Sequence, residues 1–139
     1  MSLFKRRSSV KNAPPQPWKI RQDCLALICE CAKDEYPHEF GGLLRVDPLD
    51  KHLISELVIL PGTVSGDAHT LFQMHMRPLD FSIVGTVHSH PSSSPFPSRA
   101  DLQFFQKYGR VHIIAAYPYS FSSWRAYYAS GEGMTLEVV

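Results

Sequence analysis

Two histidines one residue apart, His88 and His90, close an apolar run and constrain this chain more than any other feature. The run before them, Phe81 to Val87, is short, β-rich and bounded by turn residues, so it reads as a buried strand. Side chains at i and i+2 of a strand leave the same face. The two imidazoles therefore project together from Cα atoms about 6.5–7 Å apart, close enough to converge on one ion. Pro91 follows at once, and seven residues separate His90 from Ser98. Asp101 then opens the stretch Asp101 to Gly109, which reads as a short helix stopped by glycine. The intervening chain is long enough to turn back and set the helix start over the same site.

Catalytic zinc typically takes three protein ligands and a water. Two histidines leave one ligand to find, and Asp101 is the nearest carboxylate downstream. The same residues have a plainer reading. Ser98 suits a helix N-cap with Asp101 as its box partner, and Asp101 is a favourable charge at a helix N-terminus. The residues alone leave both readings open.

The spacing His88-x-His90, seven residues, Ser98, two residues, Asp101 resembles the HxHx7SxxD signature of the JAMM (MPN+ or JAB1-type) zinc metalloprotease family. Four defined residues fall at fixed offsets over fourteen positions. The likeness extends upstream to Pro37-His38-Glu39-Phe40-Gly41-Gly42-Leu43-Leu44, where the family carries a glutamate after a helix, and downstream to Val111–Tyr119. It covers roughly residues 18–139, and no motif position departs from the pattern.

The resemblance, to the single-domain prokaryotic or archaeal type, implies an α+β (mixed α/β) fold. Its centre would be a curved, mostly antiparallel β-sheet of about six to seven strands with two to three flanking helices, cytidine deaminase-like. It implies one Zn2+ per chain on His88, His90 and Asp101, with Glu39 as general acid/base and Ser98 stabilising the oxyanion. On the residues alone Glu39 is one glutamate among several. The implied activity is hydrolysis of isopeptide or peptide bonds after the C-terminal Gly of a ubiquitin-like modifier, deubiquitinase-like or desampylase-like. One alternative is removal of a C-terminal amino acid such as cysteine from a ubiquitin-like sulfur carrier. Another is a non-catalytic scaffold, disfavoured because every motif position is filled. The implied partner is a ubiquitin-like modifier or its conjugates, and a homodimer fits the dimerisation role of some relatives.

Length and composition agree with one globular domain: 139 residues, 44% of them apolar. A net charge of +1 gives no electrostatic case for nucleic acid or a membrane surface. No stretch approaches the roughly 20 apolar residues that span a bilayer, and the basic N-terminus lacks the apolar region of a secretory signal. A cytoplasmic location is expected. Residues 1–17, basic and rich in proline, read as a disordered tail ahead of the domain at 18–139. Cys24, Cys29 and Cys31 are odd in number and crowd one predicted helix, so free, partly buried thiols are expected rather than disulfides.

Periodicity predicts a helix from Trp18 to about Asp34, ended by Pro37. Strands are predicted at Leu43–Val46, Leu53–Leu60, His69–Met76, Val111–Tyr117, Ser123–Tyr128 and Met134–Val139, with a loop at Thr63–Asp67. His38, His52 and His69 are expected to face solvent. His75 and His112 read as satisfied or half-buried strand histidines, and Met74 and Met76 as packing residues.

Overall fold

The structure, a computed structural model, describes residues 16–59 and 80–139. The predicted strand His69–Met76, the predicted loop Thr63–Asp67, His69, His75 and residues 1–15 of the predicted tail lie outside the described residues.

In chain order the elements are β1 (Lys19–Ile20), α1 (Gln22–Glu35), β2 (Gly41–Asp47), β3 (Asp50–Ile59), β4 (Ile83–His90), α2 (Arg99–Lys107), β5 (Val111–Ala116), β6 (Trp124–Tyr128), β7 (Gly133–Met134) and β8 (Glu137–Val138). One sheet holds all eight strands in the order β7-β6-β5-β4-β2-β3-β1-β8. The pairs β2–β3, β2–β4, β5–β6 and β6–β7 are antiparallel. The pairs β1–β3, β1–β8 and β4–β5 are parallel. This is the expected mixed α/β class, with two helices among the described residues. Neither is long and apolar enough to cross a membrane.

Two differences from the sequence reading arise at the sheet edges and bring the strands to eight, against the six to seven expected. Trp18 to Ile20 is not helical. Arg21 N donates to Ile54 O on one side, while Val139 N and Glu137 N donate to Ile20 O and Trp18 O on the other. Those bonds hold the segment as a strand, and the helix starts only after Arg21. The predicted last strand splits into β7 and β8, which occupy opposite ends of the strand order. Three residue steps, at most about 11 Å, separate Met134 from Glu137. The sheet must therefore curl until its two edges nearly meet, with Leu136 buried between them.

Each sheet face is covered by one helix. Cys24, Leu25, Ile28, Cys29 and Ala32 of α1 share a core with Leu44, Val87, Ile113, Ala115 and Ala126. Burial pushes the Cys24 thiol up to about 11, and all three cysteines are free, as expected. The alternate residues Leu43, Ile114 and Tyr127 face Phe104 and Phe105 of α2. A register shift beside Val84 sets this alternation in β4, since Leu44 pairs with Gly85 and Arg45 with Ile83. Beyond it Val87 faces α1, whereas Thr86 and His88 lie toward α2.

The β4–α2–β5 crossover is held by two glycines in contact. A Cβ on Gly85 would lie 1.6 Å from Val111 O. Gly109, at φ +86°, ends α2 and packs on Gly85 Cα. Gly42 serves the sheet too: a Cβ there would meet the Leu57 side chain at 2.8 Å and Val58 O at 3.0 Å.

Candidate metal centre

The parallel strands β4 and β5 end side by side, and the N-terminus of α2 comes back over them. This end of a parallel pair is where open α/β sheets present ligand sites. His88 and His90 leave β4 there on one face. α2 begins two residues before the predicted start because Ser98 caps it. Ser98 Oγ accepts from Asp101 N at 3.1 Å, and Asp101 Oδ2 accepts from Ser98 N at 2.9 Å. This capping box fixes the Asp101 carboxylate in front of the histidines.

Three donors meet. His88 Nε2 and His90 Nε2 are 3.2 Å apart, His90 Nε2 is 3.1 Å from Asp101 Oδ2, and His88 Nε2 is 3.2 Å from Asp101 Oδ1. Nitrogen and oxygen donors about 2.0–2.1 Å from a tetrahedral zinc stand roughly 3.3 Å apart, close to each of these three separations, with one Asp101 oxygen toward each histidine. The donor chemistry fits as well. His90 Nδ1 lies 3.0 Å from Ser94 O. A proton on Nδ1 donated to that carbonyl leaves the Nε2 lone pair facing the other donors. Among the described residues this is the cluster of His, Cys, Asp or Glu that can hold a metal ion.

Burial by itself would raise the Asp101 carboxyl pKa. Hydrogen bonds from His88 and His90 outweigh it and hold the group well below the usual carboxylate range. The same contact with Asp101 raises His90, against the opposing effect of burial. The three side chains are largely buried, with exposures of 12% for His88, 15% for His90 and 8% for Asp101.

Glu39 lies just before β2, half-buried. Phe40 N donates to Ser89 Oγ at 2.8 Å, and Ser89 N donates to Phe40 O at 2.9 Å. Gly41 pairs with His88. The Phe40 ring enters the α1 core, so the preceding side chain turns toward the face of the histidines. The negative charge of Glu39 acts on both His90 and the Tyr119 phenol. Ser98 is exposed at the mouth of the site.

His112 is the satisfied core histidine expected of it. Its Nδ1 lies 2.7 Å from Thr86 Oγ1, its Nε2 3.2 Å from Gly109 O, and its ring stacks on Phe105 at 4.3 Å. Burial pushes its pKa down to about 4. His38 is exposed, as expected, but His52 is half-buried with its ring against Trp18, 4.7 Å between centroids. That correction follows from Trp18 being in extended chain beside β3. Sequence reasoning gave no role to Ser89, which anchors Phe40, or to Tyr127, whose hydroxyl donates to Pro95 O. Neither residue belongs to a recognisable spacing. The 91–97 loop is held at several points, since Tyr117 N donates to Ser92 O and Arg125 lies over the Phe96 ring.

Two histidines at the end of β4 and an aspartate in the first turn of α2, within reach of the Glu39 charge, define a metalloprotease-like zinc site. Residues 21–127 match the family described as prokaryotic homologs of the JAB domain. A "probable metalloprotease" of Haloferax volcanii is 36% identical over 146 residues, covering 100% of this chain and 85% of the relative. A solved structure described as "JAMM: a metalloprotease-like zinc site in the proteasome and signalosome" is 38% identical, with a TM-score of 0.69 over 89% of this chain and 99% of that one. A JAB1/MPN-domain protein from Archaeoglobus fulgidus is 36% identical, with a TM-score of 0.70 over 90% and 99%. A solution structure of a Desulfitobacterium hafniense protein, 19% identical with a TM-score of 0.57 over 87% and 92%, shares the fold. The chain belongs to the JAMM/MPN+ family, and its centre is a one-zinc site of the metalloprotease type.

Proposed function

We propose that the protein hydrolyses the isopeptide or peptide bond following the C-terminal Gly of a ubiquitin-like modifier, as a deubiquitinase or desampylase does. The observation that carries the reading is the half-buried Glu39 carboxylate beside the donor set of His88, His90 and Asp101.

Zinc, when held by these three residues, supplies Lewis acidity and lowers the pKa of water. Glu39 takes the proton from the attacking water and delivers it to the departing amine. Ser98 combines two duties without conflict. Its oxygen accepts from Asp101 N as the helix cap, and its own O–H remains to donate to the oxyanion that develops on the scissile carbonyl. Asp101 stays anionic throughout. The Ser94 carbonyl holds His90 in the tautomer that presents Nε2.

The test incubates zinc-loaded protein with two substrates: a ubiquitin-like protein joined to lysine, and one extended by a C-terminal cysteine. Mass spectrometry reads the products, with a chelator and Glu39→Gln as controls. Chelator-sensitive release from lysine, with Glu39→Gln inactive but still binding zinc, is the expected result. Release of cysteine alone would move the substrate to a sulfur carrier. Full activity of Glu39→Gln would remove Glu39 from the reaction.

A further inference from the structure

The segment after β5 folds back over the end of β4 and puts an unusual residue beneath the metal site. Tyr119 has φ +62°, a left-handed conformation that a side chain bearing Cβ adopts at a cost and that marks functional positions when it persists. Its backbone N–H donates to Ala116 O at 2.8 Å, and Ala116 is the register partner of His90. The side chain is 2% exposed. Its hydroxyl donates to the backbone carbonyl of His90 at 2.9 Å.

The carbonyl of His90 lies at the last residue of β4, where the ladder ends. His90 is thus gripped twice beyond its ring donor atom: at Nδ1 by Ser94 O and at its carbonyl by Tyr119. We propose that Tyr119 is a positioning residue for the metal centre. Its hydroxyl fixes the backbone from which His90 projects, so that Nε2 is already set for the ion. The strained backbone at Tyr119 is what brings the phenol under that carbonyl. The inference rests on the metal site and not on the substrate proposed above, and its test needs no substrate.

Tyr119→Phe keeps the ring in the core and removes only the donor. Zinc affinity of the full chain is measured by competition with a chromophoric chelator, and site geometry by the d–d absorption of the Co2+-loaded protein. Thermal unfolding of the apo form runs beside them. The expected result is zinc binding about ten-fold weaker, the low end for loss of a group that orients a metal ligand, with an altered Co2+ band. A merely structural hydroxyl would lower apo stability and leave the zinc Kd and the Co2+ band as in the wild type, and that outcome overturns the proposal. Incorporation of 3-fluorotyrosine at 119 preserves the donor and should keep wild-type affinity. Its 19F resonance should also shift on zinc titration, and an unmoved resonance would equally refute the coupling.

Discussion

Acidification from pH 7 to pH 4 should weaken the apo protein by about 3 kcal/mol through one side chain, His112. Its imidazole is fully buried, accepts from Thr86, donates to Gly109 O and stacks on Phe105. Burial lowers its pKa from an ordinary 6.5 to about 4. The unfolded chain therefore takes up the proton first. The stabilisation from keeping His112 neutral is complete above pH 6.5, shrinks as pH falls toward 4, and is gone below that. A gap of about 2.5 pH units at 1.36 kcal/mol each gives about 3 kcal/mol, a large share of the roughly 5–15 kcal/mol that holds a small domain together. His90, whose pKa is raised, acts with the opposite sign. It stabilises below 6.5 and loses that contribution as pH rises through its folded value. Asp101, held low, contributes above about 3.8 and matters only below this window. The difference between wild type and His112→Gln isolates His112. Urea unfolding of both, with chelator present, should give a stability difference that changes by about 3 kcal/mol between pH 7 and pH 4. Parallel curves over that range would refute the assignment of His112 as the acid-sensitive core group.

Three further perturbations bear on the site and its scaffold. Gly85→Ala would drive a methyl group onto the Val111 carbonyl, 1.6 Å away, where backbone cannot yield without parting β4 from β5; a loss of at least ~3 kcal/mol in chemical unfolding is expected. Asp101→Ala removes one donor of three and half of the capping box, so metal analysis should find no retained zinc and apo stability should fall by about 1 kcal/mol. Ser98→Ala should also cost about 1 kcal/mol in the apo protein, keep zinc, and lower turnover about 10²–10³-fold if its hydroxyl serves the oxyanion; unchanged turnover would leave it a helix cap only.

Much of the site was legible because its parts are local. The i, i+2 spacing of His88 and His90 puts two rings on one face in any strand, and Ser98-x-x-Asp101 starts a helix wherever it is solvated. Both readings of Ser98 and Asp101 were open in the sequence. The capping box is present, and it is also what aims the carboxylate at the histidines. Glu39 was different. Nothing in the spacing of forty-nine residues to His88 ties the two together, and only the family likeness singled it out. Its position beside the histidines depends on Phe40 and Ser89 exchanging hydrogen bonds across β2 and β4.

The sequence by itself determined that β2, β4 and β5 are strands, the metal-ligand pair, the cap of α2 and its glycine stop, because short apolar runs and local hydrogen bonding act within a few residues. Only the tertiary structure decided the edges. Trp18–Ile20 became a strand and Met134–Val139 two strands on opposite edges because their backbone groups found partners far along the chain. Tyr119 likewise took up a left-handed backbone and reached His90 only once β5 lay beside β4. Hydrogen bonds between distant segments exist only after the sheet has curled, so no local pattern could announce them.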